Sequence, residues 1–155
     1  MKSVHYVASV VKTYRAAIDA YVSDPAHFAV QPEWRAELDK VSHRAYTAGF
    51  FGGATGAEEQ IYGISSYQQT SAFVGLVEAY DPMSGWAAVE QRNRMEVGEE
   101  IEVFQPEGAA FRQPIEEMRD AAGNAIAAAP HPQQKIRMKM RQPVVAGAIL
   151  RRPIG

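Results

Sequence analysis

The chain contains no cysteine, which removes disulfide staples, thiolate-ligated zinc, cysteine-held iron–sulfur clusters and a cysteine nucleophile from its chemistry. It also lacks a charge excess. Lys and Arg number 16 against 18 Asp and Glu, a formal net charge of -2, so the molecule as a whole is no polycation for coating nucleic acid or an anionic membrane. Any such binding must be local. No apolar run approaches the roughly 20 residues of a membrane span; Ala125-Ile126-Ala127-Ala128-Ala129 is cut by Pro130. The opening Met1-Lys2-Ser3-Val4-His5-Tyr6 has no apolar stretch of the kind a secretory signal carries. A cytoplasmic location with no membrane partner is therefore expected. What is present, 46% hydrophobic residues in a length of 155, suffices for a real core in one domain or two small ones.

From Val4 to Val22 the residues Val4, Val7, Val11, Tyr14, Ile18 and Tyr21 recur at spacings of three and four, the mark of an amphipathic helix that stops at Ser23-Asp24-Pro25. A second helix is predicted from Pro32, carrying Trp34, Leu38 and Val41 on one face towards Ala45. Glycines at 49, 52, 53, 56 and 63 then break regular structure. The expected division is a helical segment 1–48, a Gly-rich linker 49–68 and a domain 69–155. Short runs follow: Phe73 to Tyr80 and Trp86 to Gln91 around a turn at 81–85, Ile101 to Phe104, Ile115 to Met118, Ile136 to Met140, and Ile149 with Leu150. The fold class is thus α+β, two N-terminal helices followed by a small antiparallel β-barrel of about six strands, with closure removing unpaired edges.

Few residues are spaced for chemistry. His5, His27, His43 and His131 lie in four segments without HxH or HExxH spacing, so no metal site and no cofactor is expected. Gly52-Gly53-Ala54-Thr55-Gly56 lacks the Lys of a phosphate-binding loop. No GxSxG elbow occurs. The carboxylate pairs Glu58-Glu59, Glu99-Glu100 and Glu116-Glu117 are adjacent residues, which point to opposite faces of a strand. No catalytic residue is predicted.

One pattern has a direction. After Pro130 the charged residues are Lys135, Arg137, Lys139, Arg141, Arg151 and Arg152, with no acid among them. Ile136, Met138 and Met140 alternate with the first four, so those cations emerge together on one face of a strand, a row suited to phosphates. Arg151 and Arg152 are available from the end of the chain. The same row also fits edge protection and solubility. On the first helix, the stripe Val7, Val11, Tyr14 and Ile18 has one other helix to cover it and is expected to stay exposed, to dock a missing domain, or to pair with a second copy.

The order of several stretches resembles peptidase family U32, the collagenase-like proteases. Met1-Lys2-Ser3, Tyr6-Val7-Ala8 and Tyr14-Arg15-Ala16-Ala17-Ile18-Asp19 resemble the segment after that family's catalytic barrel. His43-Arg44, Tyr46-Thr47 and Gly49-Phe50 resemble its HR-x-YT-x-GF stretch. Gln91-Arg92-Asn93-Arg94, Val97-Gly98-Glu99-Glu100-Ile101-Glu102 and Ala129-Pro130-His131-Pro132-Gln133 resemble its C-terminal domain. The family's Glu-x-Phe signature and clustered cysteines have no counterpart here. The resemblance implies an excised or separately encoded C-terminal portion of a parent that is a peptidase or, as in some relatives, hydroxylates a tRNA uridine or a ribosomal RNA base or acts in quinone hydroxylation. Its expected role is accessory: a barrel that positions RNA or polypeptide for a catalytic domain outside this chain. The alternatives are a purely structural module docked on that domain, or a collagenase-like peptidase in its own right. As an isolated fragment it is expected to form a homo-oligomer through the exposed stripe.

Overall fold

The computed structural model describes residues 3–43, 46, 51, 53 and 68–154. The chain divides into two units, Met1–Thr70 and Ser71–Gly155.

In the first unit the Ser3 hydroxyl accepts from the Tyr6 amide at 3.2 Å, capping a helix α1 over Val4–Ser23. Asp24 closes it, its amide donating to the Ala20 carbonyl at 3.1 Å, and its carboxylate then caps a 3₁₀ turn at Pro25–His27. The second helix, α2, spans only Pro32–Leu38, so the predicted run towards Ala45 is corrected. The backbone leaves the helix because other partners take it: the Asp39 carbonyl accepts from the Thr70 amide at 3.1 Å, and His43 and Gln68 exchange bonds of 3.0 and 2.9 Å. Val41 is nevertheless buried. Phe28 bridges the helices, edge-on to Tyr21 and stacked on Trp34. Most of the predicted linker 49–68 lies outside the described residues.

Among the described residues the second unit has ten strands, not about six. They are β1 (Ser71–Asp81), β2 (Trp86–Gln91), β3 (Met95–Glu96), β4 (Glu100–Phe104), β5 (Phe111–Pro114), β6 (Met118–Asp120), β7 (Ala125–Ile126), β8 (Ala128–Ala129), β9 (Lys135–Lys139) and β10 (Ile149–Pro153). Of the strands not predicted, β3, β6, β7 and β8 are two or three residues long, too short for a period of two to register in sequence, and β5 has four. Of the run predicted at Ile115 to Met118 only Met118 belongs to a strand, β6; Ile115 follows β5 and its amide still donates to the Glu99 carbonyl at 2.8 Å. All described pairings are antiparallel, and eight strands form one sheet in the order β5-β4-β10-β1-β2-β9-β6-β7, with β3 and β8 as a separate pair.

The sheet curls around a single core, to which β1, β2, β4, β6, β9 and β10 all contribute, among them Val74, Val89, Val103, Met118, Met138 and Leu150. It is a half-barrel with β5 and β7 at its ends; brevity, four and two residues, limits these edges. Two bulges shape β1, between Phe73 and Gly75 and between Val77 and Ala79. At Gly75 a Cβ would lie 2.9 Å from the Val89 Cγ1, so the core closes only on glycine there.

Candidate functional site

The β1–β2 connection sets the geometry of one patch. Gly85 adopts φ +69° and donates its amide to the Asp81 carbonyl at 2.8 Å, a conformation that favours glycine. The Asp81 carboxylate takes the Ser84 hydroxyl and, at 3.0 Å, the Met83 amide. These donors, the Ser84 hydroxyl foremost, hold its carboxyl below the ordinary carboxylate range. Beyond the turn, β2 buries Ala87, Val89 and Gln91 and turns Trp86, Ala88 and Glu90 outward.

Register then places side chains beside one another on the outer face. Trp86 opposes Lys139, Ala88 opposes Arg137 and Glu90 opposes Lys135 across β2 and β9. Arg137 in turn opposes Arg119 on β6. The Arg119 guanidinium lies 4.8 Å and the Lys139 ammonium 5.7 Å from the centre of the Trp86 indole, both within cation–π range.

The six cations singled out in the sequence separate into three kinds. Lys135 is held by Glu78 and, at 2.6 Å, by Glu90; these contacts raise its pKa and lower that of Glu90. Arg141 pairs with Glu116 and Arg152 with Glu99, both at 2.5 Å. Arg137 makes no ion pair among the described residues, and Lys139 donates to the Ser84 carbonyl at 2.6 Å without a carboxylate partner there. Arg151 is different again. It is fully buried, its Nε 2.8 Å from Glu102 Oε1 and its guanidinium 4.4 Å from the centre of the Phe104 ring. It does not join the outer row, because β10 lies between β1 and β4 and Arg151 stands opposite Glu102 in register. Its partner Glu102 sits in Ile101-Glu102-Val103-Phe104, where a period of two points it outward, yet all four residues are buried. Trp86 and Arg119 were missed as site residues; a tryptophan directly after a turn glycine was the signal there.

On α1 the exposed residues include Val7, Val11, Tyr14 and Ile18, between 52% and 61% accessible, while His5, Ser9 and Thr13 are buried. Ser9 donates to Glu37 on α2 at 2.9 Å. His43 stacks on Tyr46 with ring centres 4.2 Å apart, and the Tyr46 hydroxyl reaches the Leu38 carbonyl at 3.1 Å. These two residues close the end of α2. No cluster of three or more His, Asp or Glu side chains arranged for a metal occurs among the described residues. No helix among them is long and apolar enough to cross a membrane.

Known proteins give this arrangement its context. The chain is 42% identical over 152 residues to tRNA hydroxylation protein P1 of Bacillus subtilis (strain 168), covering 98% of this chain and 36% of that protein. It is 32% identical over 134 residues to tRNA hydroxylation protein P of Escherichia coli (strain K12), covering 83% and 28%. It thus spans about a third of the length of these curated relatives. Among solved structures, the C-terminal domain of a Geobacillus thermoleovorans protein described as a U32 peptidase matches in its selenomethionine form with a TM-score of 0.51 and 42% identity, covering 52% of this chain and 99% of that one. Residues 69–151 match the peptidase family U32 C-terminal domain and residues 1–61 match peptidase family U32, and the chain belongs to that family.

Proposed function

We propose that this chain is a non-catalytic, cytoplasmic accessory portion of a longer U32 protein, in which the outer face of the half-barrel holds an RNA substrate for a catalytic domain outside the chain. The observation that carries this reading is the state of β9. Of its outward cations, Lys135 is neutralised by two glutamates, while Arg137 and Lys139 have no carboxylate partner among the described residues. Cations left unneutralised next to an indole suit a phosphate backbone. The names of the relatives, tRNA hydroxylation proteins, favour RNA over polypeptide and tRNA among RNAs. The exposed stripe on α1 is the surface that would dock the catalytic domain.

Structured RNA should bind the chain in the non-specific range of about 10⁻⁴ to 10⁻⁶ M at physiological salt. Replacing Arg137 and Lys139 together by Gln should change stability by no more than about 0.5 kcal/mol. It should lower RNA affinity and reduce the log–log salt slope by roughly one unit for each phosphate that is no longer neutralised. Equal affinity of wild type and double variant at low salt would overturn the reading.

A further inference from the structure

Between Trp86 and Arg137 the outer face is hollow, and the cause is local. Ala79 and Ala88 stand opposite each other across β1 and β2, two small side chains among larger ones. The space above them, about 480 Å³, is lined also by Asp81, Ser84, Trp86 and Arg137. That volume lies within the roughly 300–1,000 Å³ of small-ligand sites. One side offers an aromatic surface and a guanidinium, the other an ionised carboxylate held by Ser84 and Met83.

We infer that Trp86 is a stacking platform for an unpaired base of single-stranded RNA, with Arg137 and Lys139 taking the adjoining phosphates. The inference rests on the RNA reading above and adds the conformation of the ligand. Inside a duplex each base is already stacked on its neighbours and the major groove is too deep and narrow for side chains, so away from duplex ends an unpaired base is what presents its face to an indole. Every base has such a face, which makes the platform tolerant of sequence. The hollow also has polarity. Asp81 repels phosphate and can accept an N–H from a base edge, whereas Arg137 attracts phosphate, so the base points towards the β1–β2 turn and the backbone runs along β9. Arg119 and Lys139 lie over the indole within cation–π range, so a base stacks on indole surface that they leave open or displaces one of them.

The test uses the full chain with Trp34→Phe, which leaves Trp86 as the single tryptophan. A single-stranded hexauridylate at low salt should quench its fluorescence saturably, and a blunt RNA duplex of equal charge should not. Trp86→Ala should weaken hexauridylate binding by about 5- to 150-fold, the equivalent of one stacked base, and leave duplex binding within about twofold; Trp86→Phe should recover part of the loss. The quenching arm needs no change at Trp86, so it stands even if the alanine variant fails to fold. Quenching by both RNAs alike, or loss of affinity in Arg137→Gln/Lys139→Gln with none in Trp86→Ala, would overturn the platform while leaving RNA binding intact. Absence of any RNA binding by the wild type would overturn the RNA reading itself. Saturable quenching by polyglutamate but not by RNA would replace the ligand with an acidic polypeptide and overturn both.

Discussion

The two units dispose of their apolar residues in opposite ways. In the half-barrel, Val74, Val89, Ile136 and Met138 are inside and the outer face is charged. On α1 the buried positions are His5, Ser9 and Thr13, and the apolar stripe is outside. An element whose polar side is covered and whose apolar side is open has not completed its core within the described residues. Contiguous apolar surface of that kind marks an interaction site more often than a free surface. The half-barrel completes its own core and sets charged side chains on its outer face; the helical unit leaves its apolar stripe open.

The most severe way to break this contrast is to disturb the ion pair buried in the half-barrel. Arg151→Ala removes the buried partner of Glu102, which keeps Arg112 at 3.5 Å, and should destabilise the sheet unit by up to about 3–5 kcal/mol, measured by urea unfolding. Replacing Arg151 by Met and Glu102 by Leu together should recover most of that loss, since a buried ion pair is often matched by apolar residues of similar volume. A small loss in Arg151→Ala would mean that water reaches the pair and that the unit is less self-contained than its burial indicates.

The helical unit is probed from the other side. Val11→Asp with Ile18→Asp should change the stability of the chain by no more than about 0.5 kcal/mol, because both side chains are already in solvent. The same pair should abolish self-association of the isolated chain, followed by sedimentation velocity. A wild-type chain that stays monomeric at high concentration would show that the stripe does not serve copies of itself.

The smallest effect concerns pH. Asp81 and Asp120 are held below their ordinary pKa, chiefly by the Ser84 hydroxyl and the Asn124 side chain respectively. A lowered folded pKa means that the unfolded chain binds more protons in acid. The stabilisation is therefore complete above the unfolded value of about 3.9 and is lost as pH falls through the folded one. Thermal unfolding should accordingly shift little between pH 5 and 8, values well above that range, and decline below about pH 4. Asp81→Asn should flatten the acid limb, with Trp86 fluorescence beside the turn as the local reporter.

These regions also differ in how readily they are read from sequence. The boundaries of β2 and the alternation in β9 follow a period of two over several residues, and α1 follows its period of three to four up to Asp24. The outward direction of Lys135, Arg137 and Lys139 was legible for the same reason. Their neutralisation was not, because the partners Glu78 and Glu90 lie 57 and 45 residues away in the chain, and only sheet register brings them together. Arg151 escaped for a related cause: β10 buries Ile149, Leu150 and Arg151 in succession, so no alternation marks which of its residues face inward. Two helices followed by a curled antiparallel sheet were legible, but the sheet is a half-barrel with open ends where closure was expected, and strands of two residues leave no periodic trace.

The position of β10 has a consequence for the order of synthesis. Last of the ten strands to be made, it lies between β1 and β4, near the middle of the sheet. A nascent chain that has emerged only as far as β9 holds two separate sheets, β5-β4 and β1-β2-β9-β6-β7, each with an open edge where β10 belongs. Pairing cannot be completed on the ribosome until that strand leaves the exit tunnel, so the unit closes late and all at once. Until then Glu102 has Arg112 beside it, 3.5 Å away across β4 and β5, and the buried guanidinium of Arg151 joins it only when β10 docks.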